Sequence, residues 1–161
     1  MLLWDYEMKP ERHRIEAMPE DVRFSLAVQA IEWTLASMDS PFEDAAVRSV
    51  LERALSASRT APQGAVTAVA PVGLVEDLEE MDDEVEEPGA THFISAVSDL
   101  FDIPADGMTS DGLYGVLSYL YEGSLDREEI PEITSSTERQ NVRCLEIIEF
   151  QKELISSVTP H

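Results

Sequence analysis

The sequence predicts a mainly α-helical fold: two helical hairpins packed into one orthogonal or bundle-like domain spanning residues 1–161, joined by a long acidic loop. Three observations predict it. Apolar residues recur at intervals of three and four in both halves of the chain. Helix start signals precede those runs, at Pro19, Ser40, Ser110 and Ser135. Between the halves, residues 60–91 lose the periodicity and carry a dense block of charge. With 161 residues, 43% of them hydrophobic, the chain can bury one sizeable core.

The first residues are the exception to the helical pattern. Leu2, Trp4, Tyr6 and Met8 share one parity and Asp5 and Glu7 the other, which is the signature of a short strand. An arm laying Trp4 into a groove accounts for the same pattern. Were residues 2–8 to pair with residues 65–70, the class would become α+β with a small two-stranded element, its length limited by Pro62 and Pro71. Residues 9–15 are charged and interrupted by Pro10.

The first hairpin covers residues 19–59. Pro19 is a good first-turn residue, Glu20 and Asp21 suit the positive end of the helix dipole, and Phe24, Val28, Ile31, Leu35 and Met38 form one stripe flanked by Leu26 and Trp33. Ser40, Pro41 and Glu43 read as a capping box that opens a second helix, with Val47, Val50, Leu51, Ala54 and Leu55 on its buried face. A turn this short makes the pair antiparallel. Residues 60–91 then read as a linker, uncharged over 60–73 and acidic after it.

Periodicity resumes over residues 92–158. Phe93, Val97, Leu100 and Phe101 form a short stripe stopped at Ile103-Pro104. Ser110 caps a helix bearing Leu113, Leu117, Leu120 and Tyr121, with Gly123 placed to end it and Gly112 and Gly115 small enough for a neighbouring backbone to come close. Ser135 and Glu138 form a second capping box, opening a long helix through Val142, Leu145, Ile148 and Ile155, its stripe widened by Cys144, Ile147 and Leu154.

The charge narrows the range of functions. The chain holds 33 Asp and Glu against 11 Lys and Arg, a formal −22. That balance argues against direct nucleic-acid binding and against anionic membranes, since both require clustered cations. Residues 61–161 alone hold 22 acids and 4 bases, a net of −18. The excess concentrates in Glu76, Asp77, Glu79, Glu80, Asp82, Asp83, Glu84, Glu86 and Glu87, 9 acids in 12 positions without a base. Like charge this dense ordinarily stays solvated and unstructured, so the expected form is a disordered loop; the alternative is a patch shaped for a basic partner surface. A single cysteine excludes an internal disulfide framework. With no apolar run of membrane length and no basic, apolar leader, the expected location is the cytoplasm.

The sequence contains no P-loop, G-x-G-x-x-G, H-E-x-x-H or G-x-S-x-G motif. Asp102, Asp106 and Gly107 suggest a calcium loop, but Pro104 and Leu113 occupy two of its ligand positions. His13, His92 and His161 have no metal-ligand spacing and read as surface imidazoles; Cys144, among apolar neighbours, reads as an inert buried thiol. Tyr119 lies off its helix's main stripe and is a candidate interface anchor. The expectation is no enzyme, no cofactor and no metal. The function expected is an acidic, immunity-type protein that neutralises a basic partner such as a nuclease toxin, with the nine acids of residues 76–87 as the partner-binding site. Alternatives are a DNA-mimic inhibitor of a nucleic-acid-binding protein and a non-catalytic adaptor or scaffold module.

Overall fold

The computed structural model describes residues 1–158, so His161 lies outside the described residues. The protein is mainly helical, and none of the described residues is in a strand. The helices are α1 (Leu3–Met8), α2 (Arg12–Glu16, reached through a 3₁₀ turn at Lys9–Glu11), α3 (Glu20–Ala36), α4 (Ala45–Arg59), α5 (Leu74–Glu84), α6 (Ala90–Ser98), α7 (Ser110–Arg127), α8 (Ser135–Arg139) and α9 (Val142–Val158).

Helix α7 occupies the centre, packed against α2, α3, α6 and α9. Helices α3 and α4 touch each other; α4 also packs on α5 and α6, and α3 also packs on α9. Buried side chains from α1 to α9 form one continuous cluster. The crossing of α6 over α7 depends on two glycines. Gly89 sits at φ +81°, where a Cβ would come within 2.5 Å of the Gly123 carbonyl oxygen; a Cβ on Gly123 would come within 2.9 Å of the Phe93 ring. Gly123 therefore serves close packing and does not end its helix, which runs on to Arg127. Gly115 has open space around its missing Cβ, and Gly112 has only Thr109 and Met108 nearby, so neither admits a neighbouring backbone.

Four sequence expectations are corrected. Residues 2–8 are not a strand: α1 buries Leu3, Trp4 and Met8 while Tyr6 is 53% exposed. Helical geometry wins because the Asp5 carboxylate accepts the Leu2 N–H at 2.8 Å and Glu138 accepts that of Leu3. Residues 65–70 do not pair either; they belong to a looped connection with turns at Pro62–Ala65 and Pro71–Leu74. The Ser40 capping box does not form. Asp44 is the cap instead, accepting from Ala46 and Val47 N–H, while Phe42 is buried with its ring edge-on to Phe93 at 5.4 Å. The long final helix is broken in two at Gln140 and Asn141, and the Asn141 side chain caps α9 by accepting the Cys144 N–H at 2.9 Å. Its buried seam is Cys144, Ile147, Ile148, Gln151 and Ile155, leaving Val142 78% exposed and Leu145 facing out. Helices α7 and α8 start one residue earlier than expected, at the caps Thr109 and Thr134.

The acidic block is the largest departure. It is not a loop: residues 74–84 form α5. Within the acids lie Leu74, Leu78 and Met81, at +4 and +3, a helical stripe packed against α4 and α6. Burial of Leu74 and Leu78 offsets the repulsion that the sequence pattern emphasises. Glu76 and Asp77 also lie in the first turn, where the helix dipole favours them.

Candidate partner-binding face

Once α5 is a helix with Leu74, Leu78 and Met81 turned toward α4 and α6, the positions on its opposite side face water. Glu76, Glu79, Glu80, Asp82, Asp83 and Glu84 are all exposed on that outward face, and Glu86 is exposed just beyond it. Among the described residues none of these seven carboxylates has a hydrogen-bond or ion-pair partner.

The other two nominated acids have structural partners. Asp77 is half-buried and pairs with Arg53 of α4 at 2.7 Å, a solvent-screened contact worth little by itself. Glu87 does more. Its carboxylate accepts the N–H groups of Glu43 and Asp44 at 2.9 and 3.0 Å and an Arg127 guanidinium N–H at 3.2 Å. Burial pushes its carboxyl up, but the two backbone donors and Arg127 outweigh that and hold it below the usual carboxylate range. Arg127 lies over the Phe42 ring at 4.3 Å and also donates to the Ser40 and Pro88 carbonyls. Glu87 thus ties the α3–α4 connection to α7 and occupies the Glu43 N–H, the donor that the Ser40 side chain of a capping box would have taken.

No protein-family model, no curated protein and no solved structure matches the chain.

A second group of polar residues has a role that the sequence did not show: Glu138, expected to close a Ser135 capping box, lies in the core, and the box is formed by Thr134 and Thr137. Glu138, only 1% exposed, accepts the Leu3 N–H through both oxygens at 3.2 Å and the Tyr121 hydroxyl at 2.6 Å. Beside it, Gln151 accepts the Trp4 indole N–H at 2.7 Å and donates to the Leu117 carbonyl at 3.0 Å. Burial, and the hydrogen bond to Glu138, push the Tyr121 hydroxyl far up. Burial also raises the Cys144 thiol, keeping it protonated at neutral pH. These groups are satisfied and buried, and they lock α1 onto α7, α8 and α9. The visible signal was Gln151, a polar residue placed on an apolar seam.

His92 is half-buried, and among the described residues its Nδ1 has no hydrogen-bond partner, so it is not the surface imidazole that the sequence suggested; His13 is exposed. Among the described residues no three His, Cys, Asp or Glu side chains are grouped to hold a metal ion. No described helix is long and apolar enough to cross a membrane.

Two clefts flank α5. On the α4 side, Asp77, Glu80, Met81 and Glu84 face Ala46, Ser49, Val50 and Arg53, and the cation there is already paired. On the α6 side, a cleft of about 290 Å³ lies between Val75, Leu78 and Glu79 of α5 and Ser98, Asp99, Phe101 and Asp102 at the end of α6. Burial, and the nearby Asp102 charge, push the Asp99 carboxyl up to about 6.

Proposed function

We propose that the protein binds and neutralises a basic protein, as an immunity-type inhibitor does, and that the outward face of α5 is the docking surface. The observation that carries this reading is the arrangement of Glu76, Glu79, Glu80, Asp82, Asp83 and Glu84: exposed and unpaired among the described residues, on a helix held in place by Leu74 and Leu78. A fixed row of charge on a chain of −22 speeds encounter with a cationic surface and repels that surface's own anionic substrate. In this reading the protein acts by binding alone, in the cytoplasm.

Mimicry of nucleic acid gains support from one specific feature, the helical form of the block. The six unpaired carboxylates over the 11 residues of α5, at a rise of about 1.5 Å per residue, lie about 2.8 Å apart along the axis, against about 1.7 Å per charge in duplex DNA. The mimic reading requires a partner whose DNA site is the surface occupied, so duplex DNA must displace the protein.

The test begins with capture and identification of the basic partner from the native host, followed by stopped-flow association. Replacing Glu79, Glu80, Asp82, Asp83 and Glu84 by Gln or Asn should slow association about tenfold at low salt and converge on the wild-type rate at high salt. Wild type should also suppress the partner's activity. Unchanged rates at both salts, or a partner fully active in the complex, would overturn the proposal.

A further inference from the structure

The cleft between α5 and the end of α6 has properties that the outward face lacks. Its floor is apolar, made by buried Leu78 with Val75 and Phe101, and its rim carries Glu79, Asp99 and Asp102. Its volume of about 290 Å³ falls at the small end of ligand pockets, which run from about 300 Å³ upward, and suits one long side chain better than a whole small molecule. Ser98 closes α6 here, so the negative end of that helix dipole faces the cleft. Asp99 is half-buried, yet among the described residues its carboxylate has neither a hydrogen bond nor an ion pair. A half-buried carboxylate without a partner is disfavoured as an anion, and a cation beside it would relieve that cost.

We infer that this cleft is a socket for one arginine or lysine side chain of the basic partner, its alkyl stem lying on Val75, Leu78 and Phe101 and its cationic head meeting Glu79, Asp99 and Asp102. The inference rests on the proposed docking of a basic protein along α5 and adds the place where that protein is gripped. Charge complementarity fixes the occupant. A bare metal ion does not fit, because the carboxylates do not converge as a ligand set. A purely apolar side chain would bury three carboxylates without a partner. Glu79 belongs to both surfaces; the other outward acids steer the partner in and govern association, whereas the socket governs dissociation. The raised value of Asp99, about 6, adds a direction: a cation binds the ionised form, so occupancy weakens as pH falls through 6.

The socket can be read without the partner, by titrating the full chain with Nα-acetyl-arginine methylamide and following backbone amide and methyl NMR signals. The neutral control is the citrulline analogue, which has nearly the same shape. Saturable shifts should centre on Val75, Leu78 and residues 98–102, with a dissociation constant of about 1 mM for arginine and at least about tenfold weaker binding for citrulline. Asp99→Asn with Asp102→Asn should weaken arginine binding about tenfold, and Glu80→Gln with Asp83→Asn on the outward face by less than about twofold. Shifts that do not saturate and spread over every acidic segment would mean a diffuse counterion atmosphere and overturn the socket, as would equal binding of citrulline. If the socket fails while the outward-face variants still slow association with the partner, the docking proposal stands without it. If arginine fills the socket and those variants leave association unchanged, the docking proposal fails alone.

Discussion

At the residue scale, three carboxylates with different surroundings separate cleanly. Glu138 is buried and fully engaged, and Glu138→Ala would strand the Leu3 N–H and the Tyr121 hydroxyl in the core. Each stranded donor costs about 1–3 kcal/mol, so urea unfolding should show a loss of about 2–5 kcal/mol. A loss under about 1 kcal/mol would mean that water reaches those donors. Asp99 behaves in the opposite sense. Its folded value of about 6 stands above the ordinary 3.8, so its contribution to stability is full below pH 4 and is lost as pH rises through 6. Asp99→Asn should therefore stabilise the protein at pH 7 by about 1–3 kcal/mol, the advantage shrinking as pH is lowered toward 4. An Asn variant no more stable than wild type at pH 7 would contradict this. Glu87, held low by Asp44, Glu43 and Arg127 against its burial, adds stability above the ordinary carboxylate value and loses it as pH falls further. The two groups therefore act in different pH windows.

At the scale of the element, α5 is the test of what orders the acidic block. Leu78→Ala removes the side chain that pins the middle of the helix and should cost about 2–5 kcal/mol, with loss of amide protection across residues 74–84. Neutralising Glu79, Glu80, Asp82, Asp83 and Glu84 should leave that protection intact, because the acids do not hold the helix together. This element also shows what the sequence concealed. Nine acids in twelve positions dominate any reading of charge, while the stripe that decides the structure is only Leu74, Leu78 and Met81. Where the apolar repeat is long and uninterrupted, as from Phe24 through Ile31 in α3 or from Leu113 through Tyr121 in α7, the helix is legible directly. It fails at junctions decided by distant partners. Alternation over residues 2–8 imitates a strand because burial of Leu3 depends on Glu138, 135 residues away. The Ser40 box does not form because Glu87 takes the Glu43 N–H and Asp44 caps the helix instead, and the break before α9 depends on the Asn141 cap, which interrupts a stripe that reads as continuous. The candidate site was legible as composition, and its division into steering acids, the structural Glu87 and the α6-side cleft required the fold. Ile148 joins the buried seam of α9 at 5% exposure, and Ile148→Ala should cost about 2–5 kcal/mol.

At the scale of the whole molecule, the balance of charge sets how salt acts. Among the described residues, eight of the 11 Lys and Arg already form ion pairs, from Arg12 with Asp111 to Lys152 with Glu7. Arg23 and Arg48 spend their donors on backbone carbonyls at Ile15, Glu16, Met108, Phe42 and Glu43. With the cations so committed, a formal −22 remains as mutual repulsion in the compact state. Added salt acts on both terms. It weakens the ion pairs, most of them well exposed and worth about 0–1 kcal/mol each, and it weakens the repulsion among the far more numerous unpaired carboxylates. The second term is larger, because each unpaired carboxylate repels many others while each cation meets one or two partners. The unfolding midpoint should therefore rise between 0.05 and 0.5 M NaCl, as the Debye length contracts from about 14 to about 4 Å. The variant with five α5 acids neutralised should start from a higher midpoint at low salt and rise less. A midpoint that falls with salt in wild type would show that ion pairs such as Arg127 with Glu87 and Lys152 with Glu7 outweigh the repulsion, and that the acidic surface is carried at no cost to the fold.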